Sequence, residues 1–127
     1  MRVPSNARLS AAADAVGAVS VGLGGLLAFA PDTGRRWLGL TGTGVTRSRV
    51  LGAADLGLGI AIIASRSSRS RWRAVAARSL LHLVFASEYA RSDRRRSAVA
   101  MCALFIIDAG IAVGLRTHAG RQQRSHR

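Results

Sequence analysis

At 127 residues the chain has room for one domain, and although 49% of it is apolar, only six residues are aromatic. The formal charge of +13 comes from nineteen arginines and no lysine, but these arginines sit in short blocks between long uncharged runs. That spacing fits basic flanks on membrane spans and argues against a nucleic-acid partner. The single Cys102, inside an apolar run, excludes a disulfide framework and a cysteine-rich metal site.

The first apolar run covers residues 9–30 and is interrupted only by Asp14. The small-x-small triplet at its end, Ala28-Phe29-Ala30, imitates a signal-peptide cleavage site, but Pro31 would follow the cut directly, so an uncleaved span is expected. Ser20, Gly24 and Ala28 lie four apart along it, a spacing that lets helix backbones approach closely in lipid.

Residues 31–49 read as a connector, opened by the turn-forming Pro31, Asp32 and Gly34. Its glycine-rich stretch after Trp37 resembles a phosphate loop but lacks the Gly-Lys-Ser/Thr ending, so no nucleotide site is expected there.

The second run, residues 50–65, is apolar apart from Asp55, with Ala53, Gly57 and Ala61 at four-residue spacing. Asp55 itself shares a face with Gly52 and Gly59, where another helix could approach, and Arg47 or Arg49 at the same end are its candidate neighbours. The basic loop 66–73 follows, with Trp72 as an expected interfacial anchor.

The third run, residues 74–90, carries Arg78, His82 and Glu88. Arg78 and His82 are four apart, so they share a helical face that continues through Phe85, Ala86 and Tyr89. Glu88 and Asp93, beside Arg91 and Arg94, read as interfacial residues.

The fourth run, residues 97–115, is interrupted only by Asp108 and contains Gly110-Ile-Ala-Val-Gly114, a literal G-x-x-x-G. A basic tail, residues 116–127, closes the chain; His118 and His126 lie there without acidic or cysteine partners, so no metal site is expected.

A bilayer core takes about 20 helical residues, and short connections make neighbouring spans antiparallel. The expectation is therefore all-α, an up-down-up-down bundle of four transmembrane helices in one membrane domain, with anionic lipid around its arginines. With the N-terminus inside, the cytoplasmic side holds ten arginines (Arg2, Arg8, Arg66, Arg69, Arg71, Arg73, Arg116, Arg121, Arg124, Arg127). The other side holds eight (Arg35, Arg36, Arg47, Arg49, Arg91, Arg94, Arg95, Arg96), so both termini are expected in the cytoplasm.

Intramembrane charge is costly, so Asp14, Asp55, Arg78, His82 and Asp108 form the candidate polar network. The expected pairs are Arg78 with Asp14, Asp108 or both, and His82 near Asp108. The network would either fix which helices meet or relay protons through Asp108, His82 and Asp14. Gly24, Gly57, Gly110 and Gly114 are the expected helix-packing positions.

The succession LLAFAPDTGRRWLGL, then RSRVLGAADLGLGIAIIAS, then an Arg- and His-bearing third run and a glycine-rich fourth, resembles the small four-helix integral membrane proteins of unknown function common in actinobacteria. In that family the second span often opens with Arg, Gly and an Arg-Asp pair before Leu-Gly. Arg49, Gly52, Asp55, Leu56 and Gly57 match, whereas Ala54 stands where the second arginine is expected. The resemblance implies a fold and a membrane location, and no activity. No nucleophile, base and orienting group assemble from the sequence, so the expected function is non-catalytic and without cofactor. An accessory or assembly subunit of a membrane complex is expected, either in such a complex or as a homo-oligomer. The alternative is a small oligomeric transporter or proton-coupled carrier using the embedded acids.

Overall fold

A computed structural model describes residues 5–124; Arg2, His126 and Arg127, counted above in the basic flanks and tail, lie outside the described residues. Within them the chain is all-helical. It forms α1 (Asn6–Phe29), α2 (Pro31–Leu38), α3 (Val45–Ala64), α4 (Arg71–Arg91) and α5 (Arg95–Arg124). That is five helices where the sequence suggests four. The additional one, α2, occupies the stretch read as a connector: Pro31 stands in its first turn, where a missing N–H costs nothing and the fixed φ favours a helix. Asp32 lies in that same first turn and Arg35 and Arg36 in the last, both favourable to the helix dipole.

Gly39 ends α2 in the left-handed region, with φ 69°, and the Leu40 N–H reaches back to the Arg35 carbonyl at 2.8 Å. Leu40, fully buried, then turns the chain into α3. At the far end of the chain, the tail expected after residue 115 continues α5 as helix to Arg124.

The four long helices close a ring: α1 packs on α3, α3 on α4, α4 on α5, and α5 returns to α1. The α1/α3 and α4/α5 contacts are extensive, and the other two are narrower. Two apolar clusters fill the ring. One holds Leu27, Leu40, Leu51, Phe85 and Tyr89 at the α2 end; the other holds Ala13, Ile62, Val75 and Ala112 at the opposite end. Between them lies a layer of charge.

Helices α1 and α5 are each long and apolar enough to cross a membrane. Helices α3 and α4 fall short of that composition because α3 carries Arg47, Arg49 and Asp55, and α4 carries Arg73, Arg78 and Glu88 within its length. Large apolar side chains nevertheless point outward from all four, among them Ile60, Leu80, Val99 and Ile106.

Candidate functional site

The seam between α1 and α3 sets the site. Its three rungs pair Gly17 with Gly59, Ser20 with Asp55 and Gly24 with Gly52. A Cβ built on Gly24 would lie 2.8 Å from the Gly52 carbonyl oxygen, and one on Gly59 would lie 2.8 Å from that of Gly17. The backbones therefore touch at both outer rungs, and the middle rung is forced together. There the Ser20 hydroxyl donates to Asp55 Oδ1 at 2.7 Å.

This seam uses the Gly52, Asp55, Gly59 face of α3. Gly57, two residues from Asp55 and so about 200° around the helix, meets nothing within 4 Å, and Ala53 and Ala61 are exposed with it. Of the four expected packing glycines, Gly24 is buried in the seam and Gly114 rests against Leu9. Gly57 and Gly110 face outward.

Arg78, on α4, reaches across to both sides of the ring. Its Nε donates to the Ser20 hydroxyl and lies 3.4 Å from Asp55 Oδ1, while Nη1 lies 2.5 Å from Asp108 Oδ2 on α5. His82, one turn further along α4, places Nε2 at 2.8 Å from Arg78 Nη1 and 3.0 Å from Asp108 Oδ2. All four long helices thus meet at one guanidinium. Asp108 is 1% exposed, and Asp55, Arg78 and His82 are buried as well. Two carboxylates share one guanidinium, so the cluster is electroneutral when His82 is doubly protonated and carries one negative charge otherwise.

Asp55 therefore takes its arginine from α4, not from Arg47 or Arg49. Asp14 stands apart from this cluster: Arg71 Nη2 bonds its Oδ1, and Arg66 Nη2 lies 2.7 Å from its Oδ2. The expected Arg78–Asp14 pair is absent because α1 enters the bundle ahead of α4. Arg71, the first residue of α4, is already level with Ser10 and Asp14, so Arg78 lies level with Ser20. Among the described residues, no continuous path of bonded side chains leads from His82 and Asp108 to Asp14.

Sequence reasoning placed Glu88 beside Arg91, which lies 3.7 Å from it, but missed that Glu88 is buried, at 5% exposed, and holds partners from elsewhere in the chain. Arg47 holds its Oε1 through Nε at 2.6 Å and Nη2 at 2.5 Å, and the Thr43 hydroxyl donates to Oε2 at 3.1 Å. Beside it the Tyr89 hydroxyl donates to the Leu38 carbonyl. Glu88 and Tyr89 so fasten the turn after α2 to α4. The signal for this was the spacing of Glu88 from His82 and Phe85, which puts it at the edge of the inward face.

Where α1 and α5 face each other, the ring does not close fully. A cleft of about 280 Å³ opens between them, with half-exposed Val19, Leu23, Leu104 and Ile107 at its mouth and Asp108, His82 and Arg78 at its floor. Phe85 and Tyr89 supply aromatic wall. Among the described residues no group of His, Cys, Asp and Glu side chains is arranged to hold a metal ion.

No protein-family model, curated protein or solved structure significantly matches the chain.

Proposed function

We propose that the chain is a multi-pass protein of the cell membrane, with α1, α3, α4 and α5 as four antiparallel spans, and that it serves as a non-catalytic accessory or assembly subunit of a membrane complex. It would then belong with the small four-helix membrane proteins that its sequence resembles. The observation that carries the reading is the saturation of embedded charge: each acid on the four long helices, Asp14, Asp55, Glu88 and Asp108, is bonded to an arginine. Charge neutralised in this way lets α3 and α4 cross a bilayer despite their composition, because a paired and buried ion costs far less than one facing lipid. It also leaves no free acid to bind a transported ion.

The ends of the bundle support the same reading. Trp37 and Phe29, about four-fifths exposed, lie with Arg35 and Arg36 at one end. Trp72 lies at the other, with Arg116 over its ring at 5.1 Å and Arg73 at 5.7 Å. Aromatic and basic side chains at both ends of an outward apolar band are what membrane interfaces select. An even number of spans puts both termini on one side, and the ten-to-eight arginine excess makes that side the cytoplasm.

The outward Ala53, Gly57, Ala61 stripe of α3 is the surface on which a partner helix would pack closely. Purification in mild detergent is expected to bring down one reproducible larger complex, and Gly57→Ile to release the chain from it with an unchanged melting temperature. Recovery of the chain alone under several mild conditions would sink the accessory role. The cleft with His82 and Asp108 at its floor favours a second reading, a proton-coupled carrier; substrate-dependent proton release that vanishes in Asp108→Asn would establish it instead.

A further inference from the structure

We propose that the cleft between α1 and α5 binds an uncharged, lipid-soluble carbonyl compound of the quinone class, with a carbonyl oxygen accepting a hydrogen bond from His82 Nδ1.

The donor is defined by its neighbours. Arg78 Nη1 has only protons to offer and lies 2.8 Å from His82 Nε2, so in the neutral tautomer that answers Arg78, Nε2 accepts and the ring proton sits on Nδ1. In a doubly protonated ring Nε2 donates to Asp108 at 3.0 Å, and Nδ1 again carries a proton. In both of these states Nδ1 is a donor, and it makes no hydrogen bond within the described residues. It is not sealed in protein either, since among the described residues the buried side-chain nitrogens and oxygens without a partner are Arg35 Nε and Ser48 Oγ. The open space that His82 borders is the cleft. A residue 6% exposed thus offers one unused N–H to a chamber whose walls are largely apolar, where an unmatched donor is costly and an acceptor is rewarded.

The floor selects against charge. Its two carboxylates and its guanidinium are already paired with one another, so a charged ligand would enter without a free counter-ion. Depth selects against phospholipid: α4 has 21 residues, hence roughly 31 Å of length, and His82 lies near its middle. A lipid ester carbonyl could reach it only by dragging a charged headgroup to the bilayer centre. A quinone carries its carbonyls on a flat uncharged ring, which fits beside Phe85 and Tyr89, and its tail would leave between Val19, Leu23, Leu104 and Ile107 into lipid. The cleft's 280 Å³ suits one ring and the start of a tail.

The proposal rests on the four-span reading, and two measurements separate them. Release of the protein from membranes by alkaline carbonate overturns the spans, and the proposal with them. For membrane-retained protein, a decyl-substituted benzoquinone is titrated onto nanodiscs carrying the full chain, with empty nanodiscs subtracted. Saturable binding is expected, and decylbenzene, which has the same tail without carbonyls, is expected to bind at least about tenfold more weakly. His82→Phe and Leu23→Trp are each expected to weaken quinone binding by about tenfold or more; Leu23→Trp closes the mouth and leaves the charged floor intact, so it decides the matter should His82→Phe not fold. Absence of saturable binding, equal binding of decylbenzene, or unaffected binding in Leu23→Trp or in folded His82→Phe overturns the proposal.

Discussion

Along the ring of long helices, α1 packs on α3 and on α5 and meets them in opposite ways. Toward α3 it presents Gly17, Ser20 and Gly24, and backbone touches backbone. Toward α5 it rests Leu9 on Gly114 and, further along, presents Val19 and Leu23 to a cleft between the helices. The difference teaches that residue size along one helix sorts its neighbours: small residues bring a partner in, and branched ones leave room. Arg78 closes both sides, since it bonds to the α1/α3 seam and to α5.

Removing that tie is expected to have the largest effect. Arg78→Met leaves Asp55 and Asp108 buried without a guanidinium, and a loss of roughly 3 to 5 kcal/mol is expected in denaturant titration of the micelle-bound protein. Adding Asp55→Asn and Asp108→Asn to the same chain should recover part of it. No recovery would mean that Arg78 acts by packing and not by charge.

The seam is tested at two adjacent glycines. Gly24→Ala places a methyl group 2.8 Å from the Gly52 carbonyl oxygen and closer still to Leu56, so a loss of about 1 to 3 kcal/mol is expected as the helices separate. Gly25, one residue on, has nothing within 4 Å of its Cβ position, and Gly25→Ala is expected to gain about 0.5 to 1 kcal/mol from helix propensity. Equal effects in thermal melting would refute the seam as drawn.

The smallest expected change lies just outside the seam. Ser48 is fully buried and its hydroxyl has no partner, so Ser48→Ala should leave stability unchanged or raise it by up to about 1 kcal/mol. A clear loss would indicate an acceptor for that hydroxyl.

Much of α4 was legible in the sequence because its face repeats within one helix: Arg78, His82, Phe85, Ala86 and Tyr89 follow the helical period and are all buried. The Asp55 groove with Gly52 and Gly59 was legible for the same reason. Helix α2 was not, since proline, aspartate and glycine open turns and helices alike, and only the left-handed Gly39 beyond it separates the two outcomes. The role of Glu88 was hidden by distance, because its partners Thr43 and Arg47 lie more than forty residues away along the chain.

By itself, then, the sequence determined that the protein is helical, that long apolar segments are set between blocks of arginine, and which side chains share a face. These are properties of composition and of a local period. Which acid meets which arginine was decided only by the tertiary structure. Pairing depends on how far each helix is displaced along the bundle, and that displacement is set by glycine contacts and turn lengths summed over the whole chain. A shift of about two turns in α1 gives Asp14 to Arg71 and Arg66 and leaves Arg78 for Asp55 and Asp108.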